Sequence, residues 1–285
     1  MLDMKNKLKL IFGIAVLALA FTSCTKDENR VIYQGGTAPV LTASSTAAMV
    51  LLKANKDNPA LTLTWTNPDY KFNTGVSSQD VTYTVQVDTA GKNFTSAGMQ
   101  EKAIAKDLRW DLTVKDLNQL LSKMELKAGT AYDVEIRVKS ALVNNSVPLY
   151  SNVIKIKITP YLDFAVEPPG TAAANYNDGA LWVVGDAFAG GWNNPLQPPY
   201  DVTQKFTKVD VLHYELIATF NATGGYKLIQ TMGVWGTQYH ALDGTAALSG
   251  DFEKRDADPQ FPSPGAGSYK IQVNFQTGKY TLTRQ

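Results

Sequence analysis

The chain of 285 residues has one cysteine and two histidines. No disulfide can form within it, and so few His and Cys side chains argue against a zinc site. Excess charge of one sign is missing too, because 27 Lys and Arg oppose 26 Asp and Glu. That balance argues against a nucleic-acid binder, which would carry a basic stripe. A membrane-spanning helix needs about 20 apolar residues, whereas the apolar stretch from Leu10 to Phe21 is much shorter. No Gly-rich phosphate loop follows a strand and opens a helix. A hydrophobic fraction of 44% with 19% charged residues fits a folded globular chain rather than a disordered one. At roughly 150 residues per domain, two domains are expected. The aromatic residues, 11 Phe, 13 Tyr and 5 Trp, matter more by position than by number.

The amino terminus has the anatomy of a secretory signal peptide. Lys5, Lys7 and Lys9 form a basic region ahead of the apolar stretch, and small residues follow it. Phe21-Thr22-Ser23-Cys24 resembles a bacterial lipobox, in which the cysteine becomes the acylated first residue of the mature protein. Phe21 stands where that pattern usually has Leu. Residues 1–23 are therefore read as a signal peptide and 24–37 as a lipidated tether. Several acyl chains, each adding about 0.8 kcal/mol per buried CH₂, would hold such a protein on a membrane. Lys26-Asp27-Glu28 resembles the export signal of surface lipoproteins in Bacteroidetes. Loss of residues 1–23 leaves 24 basic and 25 acidic residues, so bulk charge can drive neither docking nor capture.

Beyond the tether the sequence alternates with period two. Leu61, Leu63 and Trp65, then Val81 to Val87, Tyr132 to Val138 and Ile154 to Ile158, place apolar side chains at every second position. This is the pattern of antiparallel strands with one buried face. Thr113 and Asp116 form a capping-box-like start, and Val114, Leu117, Leu120 and Leu121 follow at helical spacing. Residues 38–160 are read as an immunoglobulin-like or fibronectin-III-like sandwich. The Pro-rich stretch 161–178 reads as a linker. A second β-domain is expected over 179–285, with strands at Leu181–Val184, Val211–Phe220, Tyr226–Gln230, Tyr269–Phe275 and Lys279–Thr283. Thr277-Gly278 would turn its last hairpin.

Candidate binding chemistry is concentrated in this second half. Trp192 follows Gly190-Gly191 and precedes Asn193-Asn194-Pro195; Trp235 lies between Val234 and Gly236. Gly, Asn and Pro mark loops, and a loop Trp is a large apolar surface offered to water. Two such rings stack on the apolar faces of pyranose sugars, and Lys227, on the strand leading to Trp235, can donate to their hydroxyls. Tyr239 and Asn193 are adjacent candidates. An enzyme is the main rival. A glycosidase needs two carboxylates flanking the bond, but Asp186, Glu215, Asp243 and Asp251 share no motif. His213 and His240 have no evident catalytic partners. The segment Asp251 to Asp258 reads as a local insertion, and its interleaved Lys254 and Arg255 favour a solvated loop over a calcium site.

Leu181-Trp-Val-Val-Gly185-Asp186-Ala187, Gly191-Trp192, Tyr226-Lys227-Leu228, Trp235-Gly236 and the ending Gly267 to Leu282 together resemble SusE/SusF-like outer-membrane lipoproteins. Tyr150-Ser151-Asn152 with Thr159-Pro160-Tyr161 extends the resemblance to the amino-terminal sandwich. The resemblance implies an all-β protein whose carboxy-terminal, carbohydrate-binding-module-like sandwich binds polysaccharide without catalysis and without a cofactor. Its site residues would be Trp192, Lys227 and Trp235. The lipid on Cys24 would anchor it to the outer membrane, facing outward, beside a SusC/SusD-like importer. Starch is the ligand implied by the family's name. A structural or adhesive surface protein that uses these Trp residues against another protein is the alternative reading.

Overall fold

A computed structural model describes residues 30–77 and 80–285; Cys24 and the signal-like segment lie outside them. The described protein is all-β, with short helices only. Its described residues divide into two compact units, one formed by residues 30–37 and 69–77 and the other by 38–68 and 80–285. The described part of the first unit is a small antiparallel sheet of Tyr33–Gly35, Lys71–Phe72 and Gly75–Val76. Tyr33 meets Phe72 edge-on with ring centroids 5.8 Å apart. Part of the expected tether, residues 33–35, is therefore a strand. Residues 69–77, expected within the 38–160 sandwich, group with this first unit.

The second unit holds two hydrophobic cores. The first spans Leu41 to Ile158 and lies between two sheets. One sheet is Leu41–Ala43, Pro59–Trp65 and Arg109–Thr113. The other runs in the order Met49–Val50, Ile154–Thr159, Tyr132–Leu142, Thr82–Thr89 and Gln100–Ala105, with Ser146–Tyr150 added on Tyr132–Leu142. The alternation in the sequence decides the inward set: Leu61, Leu63, Val85, Val87, Val134, Ile136 and Ile156 are all buried. The expected helix is Val114–Lys123. Thr113 Oγ1 accepts from Asp116 N at 3.1 Å and Asp116 Oδ2 accepts from Thr113 N at 3.0 Å. Val114, Leu117 and Leu121 point into the core.

The second core spans Val166 to Leu282 and lies inside one sheet rolled on itself. Its strand order is Trp182–Val184, Gly225–Ile229, Gln238–Ala241, Ser249–Lys254, Lys279–Arg284, Gly267–Asn274, His213–Phe220 and Thr207–Lys208. Phe261–Pro262 adds to Gly225–Ile229. The roll closes where Phe206 N donates to Leu181 O at 2.9 Å and Val183 N to Gln204 O at 3.0 Å. Tyr214, Tyr226, Tyr239, Phe252, Phe275 and Tyr280 fill it with edge-on and stacked rings.

Two sequence expectations need correction here. Residues 161–178 do not run as a free linker, because Val166 is buried in the second core, Leu162 and Phe164 pack on it, and Ala165 N bonds Phe275 O at 3.1 Å. Apolar side chains at 162, 164 and 166 outweigh the prolines that follow. The segment Asp251 to Asp258 is not an inserted loop throughout. Ser249–Lys254 is a central strand between Gln238–Ala241 and Lys279–Arg284, and only the residues from Arg255 to Asp258 lie beyond it. Buried Phe252 marks that strand, although charged neighbours on its outward face obscure it.

Candidate functional site

The site forms on the outer face of Trp182–Val184, Gly225–Ile229 and Gln238–Ala241. Period-two alternation sends Val183, Tyr226, Leu228 and Tyr239 inward and leaves Val184 and Ile229 outside. Those two residues and Leu196 form a small second cluster, on which Trp182, Tyr200, Met232 and Trp235 pack.

Two loops rise above this floor. The first turns between Gly185 and Gly191, where Gly185 N donates to Gly191 O at 3.0 Å. A Cβ on Gly185 would sit 2.2 Å from Gly225 O, so only glycine allows the loop to lie this close to the neighbouring strand. Trp192 follows directly. Asn193 is exposed and fixes the turn by donating from Nδ2 to Gly190 O at 2.8 Å. Asn194 Oδ1 then accepts Gly233 N at 2.6 Å, tying the first loop to the second. As a result Trp192 and Trp235 stand 6.2 Å apart with their rings tilted by 45°. Trp192 is 37% exposed, and Trp235 is half-buried by the cluster beneath it.

Beside the rings lies a polar margin. Lys227 is only 8% exposed, so its charge needs partners. Its Nζ donates to Ala257 O at 2.6 Å and pairs with Asp258 Oδ1 at 3.2 Å. Gln238 donates to Asp256 Oδ1, and buried His240 lies 3.0 Å from Glu253. The residues after Lys254 thus cover this end of the face, and the ammonium that sequence logic offered to a ligand is already engaged.

Tyr239 is corrected outright. It is fully buried, its hydroxyl donates to Glu167 O at 3.0 Å, and burial, aided by Glu167, pushes its phenol far above the usual range. Its closeness to Trp235 in sequence does not reveal which face of its strand it occupies. Trp192 and Trp235 come together, Asn193 stands beside Trp192, and Tyr239 is on the opposite side of the sheet. Trp182, Tyr200 and Met232 join the cluster, beyond the residues that the sequence singles out as candidates. Trp182 lies within the strand expected over Leu181–Val184 and in the motif that carries the family resemblance, and its place one position from buried Val183 marks it as outward-facing.

Four of the seven side-chain atoms buried without a hydrogen-bond partner among the described residues belong to residues within three positions of these aromatics in the chain: Asn194 Nδ2, Asp201 Oδ1, Thr237 Oγ1 and Gln238 Oε1. Such atoms cost about 1–3 kcal/mol each when left unpaired and are scarce in folded proteins.

The carboxylates weighed for catalysis sit in structural roles. Glu215 accepts from Lys270 and Gln272, which hold it below the usual range, and Thr245 does the same for Asp243. A general acid needs its pKa raised. Asp186 Oδ1 accepts Gly225 N at 2.8 Å, and Asp251 pairs with Lys279 at 2.7 Å. His213 lies 2.9 Å from Asp210. Among the described residues no helix is long and apolar enough to cross a membrane.

Residues 26–139 match the family model described as SusE outer membrane protein. The match covers the amino-terminal part of the chain and less than half of its length, and it ends before the aromatic loops. No curated protein matches the sequence.

Proposed function

We propose that this chain, similar over its amino-terminal part to SusE outer membrane proteins, is a non-catalytic polysaccharide-binding lipoprotein of the outer cell surface. The observation that carries the reading is the tilted Trp192–Trp235 pair at a loop-built edge, with Trp192 exposed and Trp235 half-buried. Aromatic rings cover the C–H faces of a sugar, and neighbouring donors and acceptors meet its hydroxyls. A tilt between the rings suits a chain that turns from one sugar to the next. Asn193 lies at the margin of this platform. Lys227 holds Ala257 and Asp258 against the same face and so supports the margin of the site; Tyr239 serves the core.

Residues 179–285 would carry the glycan and residues 38–160 would hold it away from the membrane. Binding without turnover would concentrate long chains beside a SusC/SusD-like importer and its enzymes. Truncating a stacking residue of this kind typically costs about 2 kcal/mol or more. In affinity electrophoresis against a polysaccharide panel, Trp192→Ala should lose most of the retardation seen with the unaltered protein, while its circular dichroism stays the same. Unchanged retardation in both Trp192→Ala and Trp235→Ala would sink the site, and release of reducing sugar by the pure protein would favour an enzyme instead.

A further inference from the structure

We propose that the hollow beside the short helix Tyr200–Thr203 is a second sugar subsite, continuous with the tryptophan platform, which takes a neutral, hydroxyl-rich unit of the same bound chain. The proposal rests on the glycan-binding reading above and extends it around the edge of the rolled sheet.

The hollow has a volume of about 270 Å³ and lies between that helix and the outer face of His213–Phe220 and Gly267–Asn274. Its floor is set by register. Ile217 and Thr219 share one face of their strand, and Thr219 stands opposite Ser268. Ile217 is 61% exposed. Ala189 adds apolar surface from the loop that leads to Trp192, and Thr203 adds a hydroxyl from the helix. Every residue that lines the hollow is uncharged. An apolar floor with hydroxyls at its rim matches a sugar ring, which is apolar across its faces and polar around its edge. A phosphate, a sulfate or a carboxylate would find no cation there.

Tyr200 joins the two sites. Its side chain packs on the cluster that carries Trp235, and it also lines the hollow. The helix itself is pinned to the platform, because Trp182 Nε1 donates to Asp201 O at 2.9 Å. Buried Gln204, at the helix end, donates to Val183 O at 2.8 Å and accepts from Gly190 N at 2.9 Å. The strand under the platform, the loop before Trp192 and the wall of the hollow are therefore tied together by hydrogen bonds. A chain leaving the Trp pair over Tyr200 meets a preformed second seat.

The test is a ladder of oligosaccharides of increasing length, prepared from a polysaccharide that retards the unaltered protein and titrated by calorimetry. Ile217→Glu and Thr219→Lys both fill the hollow from exposed positions, with opposite charges, and should leave the thermal melt unchanged. Both should weaken the longest oligosaccharides about tenfold and leave the shortest that binds unaffected. Trp192→Ala should weaken ligands of every length. Equal affinities for long chains in the unaltered protein and both hollow variants, with the Trp192→Ala loss retained, would overturn the second subsite alone. Equal loss at every length would also overturn it. Failure of the unaltered protein to bind any glycan would overturn both the subsite and the reading on which it rests.

Discussion

Side chains close in sequence take different parts according to the direction in which each one points. Trp235 and Tyr239 are four positions apart, yet one is half-exposed on the outer face and the other fully buried in the core. Lys227 shows the same dependence. Read as a free donor, it would be a binding residue; held 2.6 Å from Ala257 O and 3.2 Å from Asp258, it is a strut. Lys227→Ala leaves two acceptors without their cation and should destabilise the fold by about 1–3 kcal/mol, measured by urea denaturation. Its glycan affinity should fall less than that of Trp192→Ala. A larger affinity loss with unchanged stability would return Lys227 to direct ligand contact.

Local chemistry decides some elements and leaves others open. The helix Val114–Lys123 was legible because its capping box and apolar spacing are complete within a few residues. Thr113→Ala should cost about 1 kcal/mol at neutral pH, read from the thermal melt. Thr113 holds the Asp116 carboxyl below its usual range. That contribution is therefore fully present above the unfolded carboxylate pKa near 4 and is lost as pH falls through the depressed folded value. The difference between the two proteins should accordingly shrink in acid. The strand Ser249–Lys254 was not legible, since Asp251, Glu253 and Lys254 outnumber Phe252 and imitate a solvated loop. Asp251 pairs with Lys279, Lys254 pairs with Glu167, and Glu253 lies 3.0 Å from His240, partners that are remote in sequence.

At the scale of the molecule, two cores lie in series within residues 38–68 and 80–285, one between two sheets and one inside a rolled sheet. Gln276 Nε2 donates to Leu126 O at 3.1 Å and Asn274 Nδ2 to Glu125 Oε1 at 3.0 Å, so the last hairpin of the second core touches the end of the helix of the first. The proposed lipid anchor, Cys24, lies outside the described residues. Cys24→Ala should abolish acyl labelling in cells and, with it, any co-purification with an importer from outer-membrane detergent extracts. Label that survives the substitution would refute lipidation at Cys24.

The sequence by itself determined the all-β class, the inward face of most strands, the helix, and the loop character of Trp192 and Trp235. Each of these follows from spacing or turn chemistry within about ten residues. Only the tertiary structure decided that the two tryptophans stand side by side, that Tyr239 turns inward, that Lys227 is already paired, and that Trp182 and Tyr200 complete the platform. Those outcomes depend on the register between strands and on loops meeting across a rolled sheet, contacts that join residues far apart in the chain.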